Sequence, residues 1–398
     1  MTDSTTLALE SDFGYLRSKA SQRRFDDAAQ SLRVSDGWLN PATGRKELRA
    51  DLVLEGCGVK APGLVGAVMA LSEAGYSVRA VAGTSAGAVT ASLVAALTQA
   101  GQPMSRLLRF ALTLDFQEFM PNGKAHQMFE RATGRLGTVL ADAAILTDRT
   151  GLYSGDYLEA WLRPLLHDEL GVRSFADLKL SAHEDPEISL APGRDYRLVV
   201  LTSDITRGQL ARLPWDYARY GQDPDAQDPV SAVRASMSIP LIFEPVHFES
   251  KEARVPVVGP GGVTTMVHYA AGTHTWVDGA LLQKFPINAF DRVDGRNPRW
   301  PTIGIKLSRM ETEVPARQPC GSALEVAMHC LRTAMNEWDV NSVHERTAAR
   351  TIFVDNAGIS TTDFDLSKER QHELFLNGVV AATEFVIDSA AAGGVPRN

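Results

Sequence analysis

Short β-prone runs, each delivered into a glycine-rich turn and followed by a helix-spaced apolar stripe, set the pattern of this chain. The first is Asp51-Leu-Val-Leu-Glu55, which feeds Gly56-Cys-Gly-Val-Lys-Ala-Pro-Gly63, after which Leu64, Val65, Val68 and Leu71 mark a helix ending near Gly75. The second, Val78 to Ala82, meets Gly83-Thr-Ser-Ala-Gly87, and small helix-compatible residues then run to Leu97. Strand, glycine turn and helix, repeated twice, predict a βαβα start and a parallel sheet with right-handed crossovers.

Downstream, Tyr196 to Thr202, His274 to Val277, Pro301 to Leu307 and Thr351 to Val354 read as further strands. Helices are expected after Gly151-Leu-Tyr-Ser-Gly-Asp156, within Val233 to Phe243 up to Pro240, over Ser322 to Arg346 and over Glu369 to Ala390. The glycine- and proline-bearing stretch Ser250 to Thr275 predicts a hairpin or loop near the surface. Leu107, Leu108, Phe110, Leu114, Phe116, Phe119 and Met120 form an apolar cluster before the turn Pro121-Asn-Gly123. Core packing is the favoured reading there, with a mobile cover over an apolar substrate site as the alternative. Residues 1–47 form a leader: Leu9, Phe13, Leu16 and Ala20 recur at helical spacing, as do Phe25, Ala28, Ala29 and Leu32. Residues 48–390 are expected to make one α/β domain.

Composition narrows the function. A formal net charge of −8 argues against a general nucleic-acid binder. Cys57, Cys320 and Cys330 lack C-x-x-C spacing, so neither a disulfide framework nor a zinc site is expected. No secretory pattern opens the chain and no run approaches the roughly twenty apolar residues of a membrane span. These features suggest a cytoplasmic protein with at most peripheral membrane contact. The basic segment Arg17 to Arg24 offers such contact, although Asp26 and Asp27 follow it and favour a solvated helix face. Oligomeric state is not legible.

The chemistry centres on Gly83-Thr-Ser-Ala-Gly87, the G-x-S-x-G pattern at a strand-to-helix turn that holds Ser85 on a sharp bend. A serine needs a base. Nine histidines are present, but none sits in an informative pattern, and a Ser-His-Asp triad is unsupported. Asp278 is the better candidate, because it ends an apolar strand and precedes Gly279, which should bring it to the strand edge where Ser85 sits. Gly56-Cys-Gly-Val-Lys60 can turn successive amides into one concavity for an oxyanion, with a further amide at Ala86. The same loop also matches the dinucleotide fingerprint G-x-G-x-x-A, but the second strand ends Val81-Ala82-Gly83 without the acidic residue that would hold a ribose. A phosphate-loop reading fails for want of the Gly-Lys-Ser/Thr ending.

Together, Leu54-Glu-Gly-Cys-Gly-Val-Lys60, Gly83-Thr-Ser-Ala-Gly87 and Asp278-Gly-Ala280 resemble the patatin-like phospholipase family. Ala235-Ser-Met-Ser-Ile-Pro240 and the segment from Gly358 to Asp365 resemble further parts of it, so the resemblance covers roughly residues 48 to 388. It implies a three-layer α/β/α fold with a mainly parallel sheet, and hydrolysis of lipid acyl esters without a metal or other cofactor. By that resemblance Ser85 is the nucleophile and Asp278 the base. Gly56, Cys57, Gly58, Val59 and Ala86 would supply the oxyanion hole, Gly83 and Gly87 shape the elbow, and Lys60 positions the loop or meets a headgroup phosphate. The implied partner is a lipid or acyl-ester substrate. Two positions depart from the family's G-G-G-x-K/R-G loop: Cys57 stands for the middle glycine and Ala61 for the last. If the middle position requires a positive φ, cysteine there strains the loop or shifts its amide. That departure and the leader motivate the alternative of a non-catalytic lipid-binding regulator; an acyl-thioester or lysophospholipid substrate is a third possibility.

Overall fold

In the computed structural model, residues 19–40, 43–119, 151–180, 193–258, 263–292, 298–307, 345–361 and 363–397 are described, with a few positions between 326 and 334. The strands are β1 Trp38–Leu39, β2 Lys46–Leu54, β3 Tyr76–Thr84, β4 Gly151–Tyr153, β5 Leu198–Asp204, β6 Gln209–Leu213, β7 Leu241–Phe243, β8 Val246–Ser250, β9 Ala253–Val258, β10 Thr264–Tyr269, β11 Gly272–Asp278, β12 Thr302–Lys306 and β13 Thr351–Phe353. The main helices are α1 Lys19–Ser35, α2 Ala61–Glu73, α3 Ala86–Gln99, α4 Arg106–Thr113, α5 Asp156–Arg163, α6 Pro229–Ser236, α7 Glu345–Ala348 and α8 Lys368–Ala391.

The central sheet runs β13-β12-β2-β3-β5-β11-β8, with β1 and β6 added beside β2 and β5. From β13 to β5 every neighbour is parallel. The crossover β2-α2-β3-α3-β5 explains why these strands read as near-continuous apolar runs: both of their faces are covered. Alternate residues divide between the faces. Leu52, Leu54, Val81, Leu198 and Val200 join the large helix-covered core. Val53, Ala82, Val199 and Leu201 point the other way, onto Phe285 and Ile287 with Trp215 and Phe290 packed alongside. The architecture is therefore the mixed α/β class with a mostly parallel sheet that the sequence pattern predicts.

α1 and α8 close the helical layer. The leader stripe Phe25, Ala28, Ala29 and Leu32 is buried in the large core, and α1 packs against α8 and β2; the first stripe, from Leu9 to Leu16, lies outside the described residues. α8 is long and apolar enough to cross a membrane by length and composition alone, contrary to the expectation that no run approaches that length. Here it packs against α2 at such close range that a methyl on Gly66 would stand 2.1 Å from the Phe375 carbonyl oxygen. Only hydrogen side chains permit that helix crossing.

Leu107, Leu108, Phe110, Leu114, Phe116 and Phe119 are all buried, so core packing accounts for the described part of the apolar cluster. Met120, Pro121 and most of the expected helix 322–346 fall outside the described residues. The stretch 250–275 contains the β9–β10 hairpin, as expected.

One strand departs from the simple parallel picture. β11 runs antiparallel to β5. A strand has two edges, and β6 occupies one edge of β5 from Val200 to Asp204. β3 pairs with β5 from Leu198 to Leu201, and β11 pairs with it from Thr202 to Asp204. Both must therefore use the remaining edge, one after the other. β3 leaves at Thr84, opposite Leu201, and β11 arrives from the other direction to end at Asp278, opposite Thr202. Asp278 thus comes to the elbow as the last residue of an antiparallel strand.

Candidate active site

Ser85 sits between β3 and α3 with φ 55° and ψ −129°, a conformation that side-chain-bearing residues rarely adopt. Three contacts hold it there. Its amide donates to Ser236 Oγ at 2.8 Å, and its carbonyl accepts from the Ala88 and Val89 amides at 2.8 and 3.3 Å. Space does the rest. A methyl on Gly87 would lie 2.4 Å from the Leu54 carbonyl oxygen, and one on Gly83 would lie 2.3 Å from that of Gly87. The elbow presses directly on the end of β2, so glycine is required at both positions.

Ser85 Oγ donates to Asp278 Oδ2 at 2.6 Å, and both residues are buried. Asp278 Oδ1 accepts the Ala280 amide at 2.8 Å, and the Asp278 amide donates to the Ser238 carbonyl at 2.8 Å. Burial pushes the Asp278 carboxyl up to about 7, against the opposing pull of the Ser85 hydroxyl, the Ala280 amide and Lys284. A carboxylate so tuned can accept a hydroxyl proton near neutral pH. Met237 Sδ lies 3.6 Å from Ser85 Oγ.

The segment Ala235 to Pro240 therefore bolts both members of the pair. Ser236 holds the Ser85 amide while donating to the Leu201 carbonyl at 2.5 Å. Ser238 receives the Asp278 amide through its carbonyl, and its hydroxyl is gripped by Arg234. The sequence signalled this segment only as part of a resemblance, with no role for any residue.

The glycine loop follows β2. The Gly56 amide donates to the Lys284 carbonyl at 3.0 Å, and the Val59 amide to the Thr361 carbonyl at 3.2 Å. These two are engaged in holding the loop, which narrows the five-residue expectation. The Cys57, Gly58 and Ala86 amides have no backbone acceptor among the described residues. Ala86 opens α3, whose N-terminus favours an anion.

The departure at Cys57 resolves simply. Cys57 has φ −129° and ψ 5°. The positive φ, 56°, belongs to Gly58, where an added methyl would stand 2.0 Å from the Thr361 carbonyl oxygen. The condition of a positive φ is not met at Cys57, so cysteine is acceptable where it stands, and the residue that must be glycine is Gly58. Burial pushes its thiol up to about 12, so it is not a reactive thiolate. The segment from Gly358 to Asp365 takes part by packing Thr361 on this loop.

Beneath the loop lies a buried ionic cluster that sequence reading missed except for Lys60. Glu55 Oε1 is 3.1 Å from Lys306 Nζ and 3.4 Å from Lys284 Nζ, while its Oε2 accepts the Leu307 amide at 2.5 Å. The two lysines hold the Glu55 carboxyl at about 2 although burial opposes them. Lys60 is buried nearby, and desolvation with the neighbouring lysines lowers its pKa. Isolated charged residues on short strands carry no periodicity that would reveal such a cluster.

A Ser-His-Asp array does exist, away from Ser85. His274 Nε2 is 3.0 Å from Ser250 Oγ, and its Nδ1 is 3.0 Å from Asp204 Oδ2. Ser250 Oγ also bonds the backbone of Gly272, and Tyr220 donates to Asp204. All four side chains are buried, and His274 Nδ1, although 3.0 Å from Asp204 Oδ2, makes no hydrogen bond among the described residues, so this is an interior cluster closed off from Ser85. Among the described residues no group of three His, Cys, Asp or Glu side chains could hold a metal ion.

The chain is 29% identical over 321 residues to the uncharacterized protein YqhO of Bacillus subtilis (strain 168), covering 81% of this chain and 92% of that one. Among solved structures, VipD from Legionella pneumophila is similar with a TM-score of 0.42 and 15% identity over 86% of this chain and 67% of its own. The ExoU-SpcU complex of Pseudomonas aeruginosa gives a TM-score of 0.41 and 15% identity, over 88% of this chain and 53% of the matched one. The family model described as patatin-like phospholipase matches residues 52–291, more than half of the chain and including both Ser85 and Asp278, and the chain belongs to that family.

Proposed function

We propose that this protein hydrolyses fatty-acyl esters of lipids with Ser85 as nucleophile and Asp278 as general base. Family membership supports lipid acyl hydrolysis in general terms. The observation that carries the finer reading is the 2.6 Å hydrogen bond between a hydroxyl on a strained elbow and a buried carboxylate.

In this reading Ser85 Oγ attacks the ester carbonyl carbon as its proton passes to Asp278. The carbonyl oxygen gains the negative charge and is met by the Cys57, Gly58 and Ala86 amides, with α3's N-terminus behind the last. The intermediate collapses when Asp278 returns the proton to the departing alcohol. Water then attacks the acyl-enzyme, losing its proton to Asp278, and Ser85 leaves reprotonated as the fatty acid is released. Lys60 holds the glycine loop or meets a headgroup phosphate; phospholipase A and lysophospholipase activities are the specific types expected.

The competing reading, a non-catalytic lipid-binding regulator, drew on Cys57, and the negative φ of that residue favours catalysis instead. Ser85→Ala and Asp278→Asn should each abolish hydrolysis of a p-nitrophenyl acyl ester, and a fluorophosphonate should label Ser85 only in the folded protein. Retained activity in either variant rejects the dyad; a lipid panel read by mass spectrometry identifies the substrate.

A further inference from the structure

We infer that Lys284 is a positioning residue of this site, tying the oxyanion loop to the base through Glu55 and holding a fixed positive charge within reach of both. The inference rests on the Ser85–Asp278 reading and adds a residue to it.

The geometry starts from the short segment that follows β11. Asp278 opens the short turn Gly279–Leu281, and the chain continues to Lys284. On the way, the Gln283 carbonyl accepts Thr84 Oγ1 at 3.1 Å, one residue before the nucleophile. The Lys284 carbonyl then accepts the Gly56 amide at 3.0 Å, one residue before Cys57. The Lys284 ammonium turns to Glu55, which also holds Lys306 and the Leu307 amide at the end of β12. One short segment thereby touches the elbow, the oxyanion loop and the base it begins from.

Packing alone does not call for this arrangement. Burying an ion pair and its neighbours gains little over an apolar group of the same volume, because desolvation offsets the attraction. Its position suits the reaction. In the resting site the negative charge is on Asp278; once the serine proton arrives, the charge reappears on the acyl oxygen at the glycine loop. An ammonium fixed on Glu55, the residue before the glycine loop, and carried by the segment that starts at Asp278 favours negative charge at either place without reorganising.

The groups around Asp278 leave Lys284 distinct. The elbow presents the Ser85 hydroxyl, the segment after α6 presents Met237 and backbone from Ser238, and β5 runs Thr202 alongside. The Lys284 ammonium draws the Asp278 carboxyl down against the effect of burial. Glu55, Lys60 and Lys306 act on one another and on Lys284. Asp204 and His274 form their own network further along β11.

The experiment is a pH profile of kcat/KM on a p-nitrophenyl acyl ester for the full-length protein and three variants. Removing the ammonium in Lys284→Met should move the acid limb upward by about half to one pH unit. Lys284→Arg should restore it to within a few tenths of a unit. Glu55→Gln, which removes the partner that neutralises Lys284, should move the limb downward. This opposite shift tests the inference even if Lys284→Met does not fold, and a limb left in place by Glu55→Gln would count against it. Fluorophosphonate labelling of Lys284→Met should be several-fold slow at pH 6 and approach the parent rate at pH 9. A uniform fall in rate at every pH with an unmoved limb would show a purely structural lysine and overturn the inference. The outcome is separable from the dyad itself: activity surviving in Ser85→Ala or Asp278→Asn removes the dyad, whereas inactive dyad variants beside an unmoved Lys284→Met limb remove only this role.

Discussion

The Ser85 amide and the Leu201 carbonyl are joined through one hydroxyl, that of Ser236, which accepts from the first at 2.8 Å and donates to the second at 2.5 Å. This link holds the elbow at φ 55° against its own strain. Ser236→Ala leaves a buried donor and a buried acceptor without a partner, at a cost of about 1–3 kcal/mol in stability. Because the released amide belongs to Ser85, the proposed nucleophile, kcat should fall by roughly tenfold or more. Chemical denaturation and steady-state kinetics on the same variant check both.

The Asp278 carboxyl, raised to about 7 in the folded protein from an ordinary value of 3.8, fixes two pH dependences of opposite sense. If Asp278 is the general base proposed above, catalysis needs the carboxylate, and activity should rise with pH and reach half its plateau near 7. Stability runs the other way. Between about 4 and 7 the unfolded chain gives up this proton while the folded chain keeps it, so this group destabilises the fold increasingly across that window and constantly above it. The penalty is on the order of 4 kcal/mol at pH 8. Asp278→Asn should therefore melt higher than the parent at pH 8, with the gain shrinking towards pH 4 in thermal scans.

Adjacent positions in the glycine loop should respond differently. Gly58→Ala forces a methyl to 2.0 Å from the Thr361 carbonyl oxygen at a φ of 56°. The backbone preference alone costs about 1–2 kcal/mol, and displacement of the loop should remove most activity. Cys57→Ala keeps a permitted backbone and should retain hydrolysis within a few-fold, losing about 1 kcal/mol of packing. Iodoacetamide at pH 8 should leave Cys57 unmodified in the folded protein, since its thiol is buried and pushed up to about 12. Peptide mapping measures that directly.

The N-terminal helix is expected to be part of the stability of the whole. Phe25 is fully buried where α1 meets the core, and Phe25→Ala should cost about 3–5 kcal/mol. A denaturant midpoint lowered accordingly, with labelling of Ser85 preserved below the transition, is the expected result.

Much of this site could be read locally. The two strand–glycine–helix units were legible because a buried parallel strand is a continuous apolar run and its glycines mark where the chain must turn sharply. Ser85 stood out for the same reason, and Asp278 because an acidic residue closes an apolar strand immediately before a glycine. These are properties of stretches about ten residues long, and the amino-acid order alone determines them. What only the tertiary structure decided lies in pairings across large sequence separations. The antiparallel entry of β11 along the edge vacated by β3 is why Asp278 reaches Ser85, and strand direction leaves no mark in a hydrophobic pattern. Ser236 reaches Ser85 from 151 residues away, and Lys306 reaches Glu55 from 251. A serine or lysine has the same local signature whether it faces water or a buried partner. Packing alone also chose which loop amides remain open and placed the need for glycine at Gly58, because a carbonyl oxygen at Thr361, far along the chain, occupies the space a side chain would need.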